Sequence, residues 1–209
     1  MWPWEAPVFG YLCYSAYCHV RYREPPGGWA VLLVAVGSVV PDLIDKPLNW
    51  QFGVFSSGYA LGHSIFFGLF VTAVSYSVAR RRDAPRLGTA LGIGFITHEI
   101  GAALEHVVTD GDVWFGLEHM LWPVYSVPPA VHHGFWRTTM RFLGEYLHNV
   151  LALRPTPYLV MIGVIGLFTL AVWLADGHPG LRELRIVLAY PVSGRGRGRR
   201  PADGRSDDD

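Results

Sequence analysis

Charge is what this chain has least of. Of its 209 residues only 16% are Asp, Glu, Lys or Arg, where soluble globular domains carry about a quarter. Lys46 is the single lysine; the other 16 of the 17 basic residues are arginines. Net charge is zero, so bulk attraction to nucleic acid is not implied and nucleic acid is not an expected partner. The two cysteines, Cys13 and Cys18, stand roughly 140° apart around a helix, which is neither a CxxC motif nor a natural disulfide pair. They read as buried thiols. The first ten residues, MWPWEAPVFG, have no cationic n-region and no cleavage site, so no signal peptide is expected. GxSxG, HExxH, a P-loop and a Rossmann glycine fingerprint are all missing, which excludes the commonest hydrolase and nucleotide-binding signatures.

What is abundant is apolar sequence in runs. Half the chain is hydrophobic (51%) and mean hydropathy is +0.25. Residues 5–20 form a first helix, stopped by RYRE and Pro25-Pro26-Gly27-Gly28. Residues 25–41 carry no charge, and Pro47 is expected to end the second helix near the residue before it. A third helix spans about Tyr59 to Ala79 and a fourth about Leu87 to Val108. Pro155 to Ala175 is an uncharged run of spanning length. Between them, WFGLEHMLWPVY is too short to cross a bilayer. Residues 132–152 are amphipathic, with Trp136, Met140, Leu143, Leu147 and Val150 on one face. That face either packs on the domain core or lies in the membrane interface.

The expected fold is therefore all-α, a multi-pass helical membrane protein of about four to six helices with one interfacial amphipathic helix. It occupies residues 1–190, and residues 191–209 form a disordered, solvated tail rich in Arg, Gly and Asp. Arg21, Arg23, Arg80–Arg82 and the tail are expected on the cytoplasmic side.

One stretch concentrates the chemistry. GSVVPDLIDKP places Asp42 and Asp45 three apart at a helix end, and GYALGHS brings His63 to the start of the next apolar helix. Two carboxylates near hydrocarbon repel each other unless a cation lies between them. Oxygen and imidazole donors suit zinc, manganese or iron without choosing among them. A plainer reading leaves Asp42 and Asp45 exposed, with Lys46 pairing one of them. In the fourth helix His98 shares a face with Glu105, while Glu99 points about 100° away. Glu118-His119 and His132-His133 flank loops and are weaker candidates.

The motifs MWPWE…FGYL, PDLIDKPL, GHS and ITH…G, spread over roughly residues 1–125, resemble the membrane-bound metal-dependent hydrolases. That family is also described as LexA-binding, inner-membrane-associated hydrolases; the likeness is to its archaeal members. The resemblance implies a polar centre made of Asp42, Asp45, His63 and His98. Two positions depart from it: Ala6 stands where members commonly carry a histidine, and Ala102 where they carry an aspartate. Either Glu99 or Glu105 could fill that gap, and Glu105 shares the His98 face.

The expectation is a membrane-embedded hydrolase using a divalent metal ion held by Asp42, Asp45, His63 and His98, with Glu105 as ligand or general base. Its partners would be membrane lipid and a small, lipid-linked or phosphorylated substrate. Two alternatives stand beside it: a non-catalytic membrane scaffold with a degenerate site, and a small carrier or proton relay using the same acids.

Overall fold

The computed structural model describes residues 2–129, 134–152, 154 and 156–193, and every regular element among them is helical. The order is α1 (Glu5–Tyr22), α2 (Gly28–Trp50), α3 (Ile65–Arg80), α4 (Pro85–Asp110), the short α5 (Val113–Glu118), a 3-10 turn (His119–Leu121), α6 (Phe135–Leu151), α7 (Pro157–Ala175) and α8 (Leu181–Ser193). The expected four to six helices are not confirmed, because the short segments that form α5 and α8 coil as well. The tail beyond Ser193, and His132 and His133, lie outside the described residues.

Three helices, α2, α4 and α7, are long and apolar enough to cross a membrane. The third run falls short of that length. It begins at Ile65 because the Ser64 hydroxyl caps its first turn, accepting from Phe67 N. That leaves 16 residues, where about 20 are needed to span hydrocarbon.

Helix α4 lies at the centre and packs on α1, α2 and α3, with α5 and α7 at its far end. Two glycines set its distance from α2. A Cβ on Gly37 would stand 2.2 Å from the Leu91 carbonyl oxygen, and one on Gly94 would stand 2.2 Å from that of Val34. Backbones this close are how helices associate where no hydrophobic drive exists between them. Tyr14, Cys18, Ala30, Val34 and Ala90 fill the apolar half of this core.

Proline does not end α2 as expected. Pro41 and Pro47 both lie inside it, and Gln51 N still donates to the Pro47 carbonyl at 3.1 Å. Each proline removes one ladder bond, but in an apolar setting unwinding would orphan several backbone groups, so the helix continues.

The bundle has two unlike ends. At one, Arg86 pairs with Glu24 at 2.9 Å, and Asp176, just past α7, accepts from Tyr11, Ser15 and His19 of α1. At the other, Ser64 donates to the Trp122 carbonyl, Gln51 accepts from Phe135 N, and Tyr158 of α7 donates to Glu5 of α1. Asp42, Asp45 and His63 lie toward this second end, away from the arginines of α1, α3 and α4.

The amphipathic helix α6 keeps its apolar face uncovered. Trp136 is 70% exposed, Met140, Leu147 and Val150 are exposed too, and only Thr138 is buried. Trp2 and Trp4 pack on Tyr146, and Trp50 packs on Phe135 and Phe142. Helix α7 is similarly bare, with 6% of its spanning window buried.

Candidate metal centre

Asp45 organises the corner. Its carboxylate accepts from the backbone N–H of Ala60 (2.8 Å), Gly62 (2.8 Å) and His63 (3.0 Å), so the loop after α2 curls around one buried side chain. The same carboxylate lies 2.9 Å from His63 Nδ1. A carboxylate can only accept, so Nδ1 carries the proton and Nε2 turns inward. From α4, His98 Nδ1 lies 2.7 Å from the Ser38 carbonyl, which likewise assigns its proton to Nδ1 and directs Nε2 inward. Ser38 is one turn before Asp42 on α2, so the close α2–α4 crossing builds the site.

Three atoms then converge. His63 Nε2 and His98 Nε2 are 3.3 Å apart, and each is 3.5 Å from Asp42 Oδ1. A point equidistant from three atoms with these separations lies about 2 Å from each, the reach of zinc and similar ions to nitrogen and oxygen. The other Asp42 oxygen binds Lys46 Nζ at 2.5 Å. The lysine pairing expected of a plain helix end is therefore present, yet it occupies only one of two oxygens. Asp42, His63 and His98 are 6%, 1% and 2% exposed.

Burial alone would lower the pKa of His63, but its hydrogen bonds with Asp42 and Asp45 outweigh that and lift it to about 9, so a cation entering the triangle would have to displace the proton from Nε2. Tyr59, packed edge-on against His63 with ring centres 4.8 Å apart, has its phenol pushed up by burial and by the acids around it.

No protein-family model, curated protein or solved structure matches the chain. The site must be read from its own geometry.

That geometry sorts the expected residues. Asp42, His63 and His98 offer ligand atoms that all lie within 4.8 Å of one another, a grouping found nowhere else among the described residues. Asp45 stands behind His63 and orients it, both of its oxygens taken by N–H donors of the loop and of the ring. Glu105 lies outside the group, beside Tyr59 and Tyr158. It shares a face with His98, but seven residues of helix amount to about 10 Å along the axis. The shared face misled because it ignored that rise.

Two buried polar residues were undervalued in the sequence. Glu99 is fully buried, neither of its oxygens has a hydrogen-bond partner among the described residues, and it lies within electrostatic reach of His63, Asp45 and Asp42. His119 is also fully buried, its ring 4.9 Å from Tyr59, 5.5 Å from His106 and 6.2 Å from His63. Its flanking tryptophans were the available signal, since an aromatic segment too short to span must pack on something. Ala6 and Ala102 are buried and offer no ligand atom.

Proposed function

We propose that this chain is a multi-pass membrane protein that binds one divalent metal ion through Asp42, His63 and His98 and uses it for hydrolysis. The reading carries with it membership of the membrane-bound metal-dependent hydrolase family that the motifs resemble. The observation that supports it most is the triangle of two imidazole nitrogens and one carboxylate oxygen. Two histidines and one carboxylate are a donor set of catalytic zinc and of non-haem iron, with coordination positions left for water and substrate.

A bound ion of this kind acidifies a water molecule and polarises a carbonyl or phosphoryl oxygen. The chain's own residues do the rest. Asp45 and Ser38 hold the Nδ1 protons so that both Nε2 lone pairs face the ion. Glu99, which lies closer to the triad than Glu105 does, takes the role of proton acceptor. Lys46 neutralises one Asp42 oxygen and keeps the other directed inward. With the arginine end in the cytoplasm, the triad faces the opposite leaflet, where a lipid-linked or phosphorylated substrate would meet it.

The burial of all three donors and the alanines at positions 6 and 102 favour a second reading, a scaffold that retains the fold without turnover. Metal analysis of the purified protein separates the two. One tightly held ion per chain, lost in His98→Ala, supports the hydrolase; a metal-free wild type, with Asp42→Asn and His98→Ala equally stable, leaves the scaffold.

A further inference from the structure

A second cleft lies away from the triad. It lies between the N-terminus of α1, α6 and the first turns of α7, with a volume of about 510 Å³. Its polar wall holds Glu5, Tyr146 and Arg154; its apolar wall runs down α7 past Val160 to Gly163 and Gly166. We infer that this cleft is a seat for a single membrane phospholipid with a zwitterionic, N–H-bearing headgroup, its ammonium on Glu5, its phosphate on Arg154 and one acyl chain along α7.

Glu5 carries the argument. It is only 4% exposed, and the hydrogen bonds it accepts among the described residues, from Trp2 N at 2.7 Å and from the Tyr158 hydroxyl, go to Oε2. Oε1 is buried and has no hydrogen-bond partner among the described residues. A buried acceptor that lines a cleft calls for a donor from the ligand that fills it. Arg154 supplies the opposite charge at the exposed rim, matched to phosphate. Between them they read an ammonium and a phosphate in one molecule.

The lower wall fits a chain. A Cβ at Gly163 or Gly166 would meet nothing within 4 Å, so these glycines leave a groove that no neighbour among the described residues occupies. From Pro157 to Gly166 the helix descends about 13 Å, the depth of much of one hydrocarbon leaflet. Above it, Trp2 stacks on Trp4 and both rings pack at an angle against Tyr146, an aromatic group of the kind that meets headgroups. The seat depends on the membrane placement of the chain and not on the metal or on hydrolysis.

The test uses the full chain in bilayer discs of equal parts phosphatidylethanolamine and phosphatidylcholine, followed by native mass spectrometry of the protein with its retained lipid. These headgroups share both charges and differ in the N–H that choline lacks. Wild type is expected to retain one phosphatidylethanolamine at about tenfold the level of phosphatidylcholine. Gly163→Leu should remove the retained lipid, and Glu5→Gln should lower the headgroup preference severalfold. Asp42→Asn should change neither. Equal retention of the two lipids, or retention unaffected by Gly163→Leu in a protein of unchanged melting temperature, marks ordinary annular lipid and overturns the assignment. Gly166→Leu, a second groove-filling change, keeps the test decisive if Gly163→Leu fails to fold.

Discussion

His63 and His98 bring their Nε2 atoms to 3.3 Å although 35 positions separate them in the chain. Each ring is held from behind at Nδ1, one by the Asp45 carboxylate and the other by the Ser38 carbonyl. Two imidazoles held this way, with a carboxylate oxygen 3.5 Å from both, turn three donor atoms toward one point.

Removing a ligand should remove the metal. Asp42→Asn and His98→Ala are each expected to weaken divalent binding by about 100-fold or more, beyond the 10–100-fold that outer-shell changes cost. Metal content by mass spectrometry and calorimetric titration of the chelator-treated protein measure it. Binding unchanged in both variants would place any metal elsewhere.

Asp45→Ala should be the most damaging change at the corner. It strands three backbone N–H groups and the His63 Nδ1–H in a buried place. A buried donor left without a partner costs about 1–3 kcal/mol, so a loss of about 3 kcal/mol or more is expected. Denaturant unfolding in detergent reads it, and His63→Ala, which leaves the three backbone donors satisfied, should cost less.

Gly94→Ala should separate α2 from α4, because its Cβ meets the Val34 carbonyl at 2.2 Å. Overpacking of this kind costs about 1–3 kcal/mol. The Ser38–His98 hydrogen bond bridges the same crossing, so metal affinity should fall together with melting temperature. Gly144→Ala, on exposed α6 with nothing near its Cβ, is the control and should leave metal affinity unchanged and the melting temperature unlowered, since alanine favours a helix interior.

Acid should loosen α7 from α1 at the arginine end. Burial works to raise the pKa of Asp176, but hydrogen bonds from Tyr11, Ser15 and His19 outweigh it and hold the carboxyl below its ordinary value. A depressed folded pKa means stability that is present above the ordinary aspartate pKa of about 4 and lost as pH falls through the folded value. Asp176→Asn is expected to lower the melting temperature at pH 7, and its deficit should shrink as wild type is taken toward pH 3.

Much of the fold was legible because it rests on local patterns. An uncharged run long enough to cross a bilayer coils wherever it sits, as α7 does, and the 3.6-residue periodicity of α6 needs no partner to be seen. The errors came where a distant contact overrode a local rule. Pro47 marks a helix end in isolation, yet α2 continues to Trp50; Tyr59 reads as helical, yet Asp45 draws the backbone around it into a loop.

The site divides the same way. The sequence alone identified Asp42, Asp45, His63 and His98, because ionisable groups beside apolar runs are costly and few. Only the tertiary structure separated Asp42, His63 and His98, whose donor atoms converge, from Asp45, whose oxygens are taken by N–H groups. It also brought Glu99 inward and left Glu105 a helical rise away, because the α2–α4 crossing, set by Gly37 and Gly94, decides which part of a helix meets the triad. Sequence determined which side chains had to avoid lipid; packing at two glycines decided which of them meet.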